Sequence, residues 1–175
     1  MGQIMLIYHP VYDLNHSLFR ALMILEASDN DGIHLDLFRI IDFYTVFPHL
    51  IKEIKPLPIE LSKYKKMLKD IPEPYEQVGN IKRIMFELEA VQTTALQNLL
   101  AKGFIDLEAF KVKKVRRSET ELPSDLSKEV TDNDTAKAEW FRMLVNNLCN
   151  VAIKGKSGLK SRTGLMEFRY DMEKS

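Results

Sequence analysis

With 175 residues, 45% hydrophobic and 29% charged, the chain has the make-up of one globular domain that can bury a core without covalent staples. Lysine plus arginine equals aspartate plus glutamate at 25 each, which excludes a global attraction to nucleic acid or acidic lipid and leaves such binding to local patches. The single cysteine, Cys149, excludes an internal disulfide; its apolar neighbours read as a buried thiol in a reducing compartment.

Met1–Gln3 carry no positive charge, the apolar run Ile4–Tyr8 is short, and no stretch approaches the roughly 20 apolar residues of a membrane span. A cytoplasmic location with no membrane contact is therefore expected. Residues 3–8 read as a short strand. Asp13 then reads as an N-cap for a helix whose Leu14, Leu18, Leu22 and Leu25 recur at helical spacing, stopped by Asp29–Gly32. A second apolar helix is predicted over 34–44, followed by a short one to Lys55. Pro48, Pro56, Pro58, Pro72 and Pro74 mark a surface connection around a short basic helix, 61–69. Asn80 is expected to cap a helix to Glu89, and a second, 92–102, to end at Gly103. Phe104-Ile105 and 109–117 read as strands, and 119–131 as polar turns. Thr131–Asp134 resembles a capping box. The helix after it places Phe141, Leu144, Leu148 and Val151 on one face. Residues 155–164 form a basic glycine-bearing loop, and 165–172 alternate as a half-buried strand.

These elements predict an α+β, mainly helical fold: one domain over 1–175, with a winged helix-turn-helix-like core at about 80–117, short N-terminal and C-terminal strands, and a helix–strand extension at 131–175. In that module the second helix would turn Gln92, Thr93, Gln97 and Asn98 outward. The strand after it would carry Lys111, Lys113, Lys114, Arg116 and Arg117 toward phosphates or a partner. A solvated edge strand whose lysines block edge pairing is the other reading. Lys154, Lys156, Lys160 and Arg162 make a second cationic loop, able to hold a phosphate backbone or an acidic partner, or to stay solvated. Gly155-Lys156-Ser157 resembles the end of a phosphate-binding loop, but the motif's first glycine is missing and a helix precedes it where a strand is required. His9, Asp13 and His16 have the residue types for a metal-dependent hydrolase, yet no further acid stands near with clear spacing. Capping by Asp13 is the simpler account, so no metal and no cofactor are expected. No Gly-x-Ser-x-Gly motif occurs, and no catalytic residue is assigned.

The order Tyr8-x-Pro10-x2-Asp13-x2-His16-x3-Arg20, with the leucine-rich helix after it, resembles the opening of the small middle components of bacterial ABC three-component systems. These include Lamassu-type antiphage defence. The similarity continues through residues 72–106, PEPYEQVGNIKRIMFELEAVQTTALQNLLAKGFID. The resemblance implies a non-enzymatic accessory subunit. Its partners would be a large ATPase of the structural-maintenance-of-chromosomes type and an effector, often a nuclease, with possible contact to double-stranded DNA. It also implies a structural role for Tyr8, Asp13, His16 and Arg20, with Arg20 pairing an acid. A winged-helix transcriptional regulator is the alternative.

Overall fold

The computed structural model describes residues 10–29 and 31–166; Tyr8, His9, the expected strand at 3–8 and most of that at 165–172 lie outside them. Helix α1 (Leu14–Ala27) starts where Asp13 predicts, its carboxylate accepting from the His16 amide at 3.0 Å. Ala21 to Leu25 are all buried, so α1 is enclosed on every side over these five residues before Glu26 emerges. The turn after it needs Gly32. Its φ is +85°, and a Cβ there would stand 3.0 Å from the Arg116 Cβ and 3.2 Å from the Val115 carbonyl oxygen.

Strand β1 (Ile33–His34) runs straight into α2 (Leu35–Val46), whose Leu37, Phe38, Ile40, Ile41, Phe43 and Tyr44 are buried beside α1. The 3-10 turns Pro48–Glu53 and Ile59–Tyr64 lead to α3 (Lys65–Asp70). This proline-marked stretch is fastened to the core by Leu50, Ile51, Ile54, Leu61, Leu68 and Ile71.

Helix α4 (Ile81–Ala101) corrects the expectation of two helices. Nothing at Ala90-Val91 removes a donor or loosens the backbone, so the amide ladder runs through. Its ends are those predicted. Asn80 accepts from the amides of Lys82 and Arg83 at 3.1 and 3.2 Å, and Gly103 sits at φ +79°. The segment 109–117 is not one strand either. Helix α5 (Leu107–Lys111), capped by Asp106, fills its first part, and β2 (Lys114–Val115) its second. Strand β2 pairs antiparallel with β1, Ile33 opposite Val115 and His34 opposite Lys114, and Ile105 forms an antiparallel bridge to Arg117. Between α5 and β2, Lys113 adopts φ 60°, a left-handed conformation that costs a side-chain-bearing residue about 1 kcal/mol. Lys113→Gly is therefore expected to raise the unfolding free energy by up to about 1 kcal/mol in urea titrations.

The polar stretch 119–131 contains α6 (Ser124–Thr131), held on α1 with Val130 buried. Asn133, not Thr131, caps the next turn, α7 (Asp134–Lys137), by accepting from the Ala136 amide at 2.9 Å. The Thr131 hydroxyl instead donates back to the Ser127 carbonyl at 3.0 Å. Extended backbone at Ala138 separates α7 from α8 (Glu139–Asn147), which packs on α1 and α2. Phe141, Leu144, Leu148 and Val151 are buried as their spacing predicts, whereas Cys149 is exposed, donating to the Asn146 carbonyl. A 3-10 turn, Leu148–Asn150, and α9 (Leu159–Thr163) complete the described chain. The fold is mainly helical with short strands, and no helix among the described residues is long and apolar enough to cross a membrane.

Candidate partner-binding surfaces

The motif residue Arg20 points inward from α1 and pairs with an acid that periodicity alone would have made apolar. Its Nε donates to Asp42 Oδ1 at 2.8 Å and its Nη2 to Oδ2 at 3.3 Å. Asp42 is buried on α2 and also accepts from Gln92 Nε2 at 2.9 Å. The Gln92 amide donates to the Arg39 carbonyl and accepts from Arg39 Nη1, both at 3.2 Å, while Arg39 Nη2 reaches Thr93 Oγ1 at 2.9 Å. Burial pulls the Arg39 guanidinium below its ordinary pKa, opposed by Glu89, Asp36 and Asp42. These side chains tie α1, α2 and α4 together in one register.

Gln92 and Thr93 are thus corrected from surface to seam. One continuous α4 carries its buried face through Met85, Leu88, Gln92, Leu96 and Leu99, and Gln92 fills a core position on that stripe. Of the four residues expected outside, only Gln97 is exposed; Thr93 and Asn98 are half-buried and Gln92 is buried. A lone acid within the apolar run Ile40–Val46 is the sequence signal for Asp42.

Asp13 acts as a cap, and His16 is exposed with its ring nitrogen 3.9 Å from the Asp13 carboxylate. Among the described residues no three His, Cys, Asp or Glu side chains gather as metal ligands would, and His9 lies outside them. Nearby, Tyr12 donates to Glu87 Oε2 at 2.8 Å. Burial and then that carboxylate push the phenol up to about 12, while Tyr12 and Arg83 hold Glu87 below the usual carboxylate range.

The cationic segment 111–117 spends most of its charge internally. Arg116 bonds Asp106 at 2.6 Å, Lys111 bonds Glu108 at 3.0 Å, and Arg117 bonds Glu26 and the Phe104 carbonyl, each at 2.6 Å. Lys113 and Lys114 alone in that segment are exposed with no ion pair among the described residues. The 154–162 loop divides in the same way. Lys160 is buried against Asp36 at 2.8 Å, and Arg162 donates to the Ser157 and Pro56 carbonyls at 2.5 and 2.6 Å, leaving Lys154 and Lys156 outward. Gly158 lets this loop close, since a Cβ there would meet the Lys154 carbonyl oxygen at 2.3 Å.

Apolar side chains supply the other surface that sequence reasoning missed. Tyr75 in the 72–80 loop and Phe86 on the outer face of α4 are exposed, as are Leu107 and Val112 at the two ends of α5. A family model described as ABC-three component (ABC-3C) system Middle Component 5 matches residues 6–171. No curated protein and no solved structure matched the chain. Sharing the pattern of that model along almost its whole length, the chain belongs to the Middle Component 5 family of ABC three-component systems.

Proposed function

We propose that this middle component is a non-catalytic accessory subunit in antiphage defence, bridging an ATPase of the structural-maintenance-of-chromosomes type and an effector, a nuclease by its expected class. The observation that carries the bridging role is the pair of exposed apolar spots at opposite ends of α4. Phe86 and the Tyr75 loop stand toward its N-terminus, and Leu107 and Val112 follow its C-terminus. From Phe86 to the end of α4 the helix rises about 22 Å, enough to seat two partners side by side. The non-catalytic role is supported by the chain's most tightly assembled charged groups, Arg20, Asp42 and Arg39, which are satisfied by one another and by Gln92 and Thr93.

Co-expression with the two neighbouring components tests the reading. Phe86→Asp and Val112→Asp each place a charge where an apolar contact would be desolvated, at an expected loss of about tenfold or more in affinity. Each variant should release one component and retain the other. Retention of both components by both well-folded variants would remove the bridging role.

A second reading, a winged-helix DNA-binding regulator, draws on the ladder. The order α1, β1, α2, α4 and then the Ile105 and β2 segments, with α3 and α5 interposed, resembles that of a winged helix and supports this reading, with α2 and α4 as the helix pair. This differs from the pair expected within 80–102. A symmetric dimer with nanomolar affinity for one defined operator would favour it; binding indifferent to sequence would end it.

A further inference from the structure

The charges balance over the whole chain but not over its surface. Residues 52–70 contain six lysines against three acids, and residues 147–166 contain three lysines, one arginine and no acid. Ten cations thus meet three acids, so the rest of this neutral chain carries a net excess of seven acids. The two stretches are far apart in sequence, and the fold lays them together. Tyr64 Oη donates to Asn147 Oδ1 at 3.1 Å, the Lys55 amide donates to the Arg162 carbonyl at 3.2 Å, and Arg162 Nη1 reaches the Pro56 carbonyl.

Three of the ten cations are used internally: Lys52 with Glu73, Lys160 with Asp36, and Arg162 with two carbonyls. Lys63, Lys65, Lys66 and Lys69 around α3, with Lys154 and Lys156 in the loop before α9, are exposed and have no ion pair among the described residues. Leu61 and Leu68 bury the opposite side of that helical stretch, so its lysines are held outward by the core itself.

We infer that this two-segment lysine face binds the phosphate backbone of duplex nucleic acid without reading bases. Lysine is a flexible point charge that suits repeated phosphates, while protein interfaces are depleted in lysine and centre on aromatic, methionine or arginine anchors. The only large apolar side chain fully exposed in the two stretches, among the described residues, is Ile59. The 111–117 segment, by contrast, has neutralised most of its own charge. The inference goes beyond the bridging role and stands whether or not that role does.

The test is fluorescence anisotropy with the full chain and a 20-base-pair duplex of arbitrary sequence (a length of about two helical turns), at several salt concentrations. Binding in the micromolar range at low salt is expected, with log affinity falling against log salt at a slope of about −4 to −5. Replacing Lys65, Lys66 and Lys69 together by glutamine should lower that slope by about 3, and affinity by tenfold or more. Lys113→Gln with Lys114→Gln should leave both unchanged, as should Phe86→Asp. Unchanged thermal melting of the triple variant separates lost contact from lost fold. Absence of duplex binding at low salt, a slope indifferent to the triple change, or binding to anionic phosphatidylserine vesicles in preference to the duplex would each overturn the assignment.

Discussion

Replacing Asp42 by alanine should lower the unfolding free energy by about 3–5 kcal/mol, the cost of leaving one half of a buried ion pair without the other. Two side chains are stranded by the change. Arg20 keeps its charge in a seam that excludes most water, and the Gln92 amide loses its shortest bond. A domain of this size has only about 5–15 kcal/mol in total, so the variant should unfold at a much lower urea concentration. The compensating experiment is as informative. Changing Arg20 to methionine and Asp42 to leucine together should cost less than Asp42→Ala alone, because no charge is then left buried. An Asp42→Ala variant within 1 kcal/mol of the parent would mean that the seam is open to water.

The second large effect is expected at Phe141. It is fully buried on α8 where that helix meets α1 and α2, so Phe141→Ala should cost about 3–5 kcal/mol through lost burial and a residual cavity. Its neighbour Trp140 is the sole tryptophan, with the two rings 6.2 Å apart and edge to face. Tryptophan fluorescence therefore follows α8, while far-ultraviolet circular dichroism follows all helices. The two signals should trace one coincident transition in parent and variant alike. Separate transitions would make residues 131–166 an independent unit, against the single domain expected from the sequence.

Helix ends were the most legible part of the fold, because a cap is a local bargain between one side chain and a few amides. Asp13, Asn80 and Gly103 all do what their positions suggest. The buried faces of α1 and α2 were legible for the same local reason. What failed was anything decided by distant neighbours. Helix α5 has five residues, too few to form in isolation, and exists because Asp106 caps it and the fold holds its Phe110 against the core. Helix α6 hides in a polar stretch, with Leu126 and Val130 as its inward pair. Gln92 misled because a polar residue on an amphipathic helix reads as surface, yet Asp42 and Arg39, some fifty residues earlier, supply its partners. The short basic helix at 61–69 and the cationic residues at 154–162 are each legible alone; that the 52–70 and 147–166 stretches meet, through Tyr64 with Asn147 and Lys55 with Arg162, is decided by the fold. The resemblance reaches the family, and the joining of the two lysine stretches comes only with the structure.

Between Ile81 and Ala101 the chain has no glycine and no proline, and Glu87, Gln92 and Thr93 key that helix into its neighbours by side-chain hydrogen bonds. Such a rod has no joint at which to bend, so a push delivered near Phe86 is passed to the core through Met85, Leu88, Leu96 and Leu99 together.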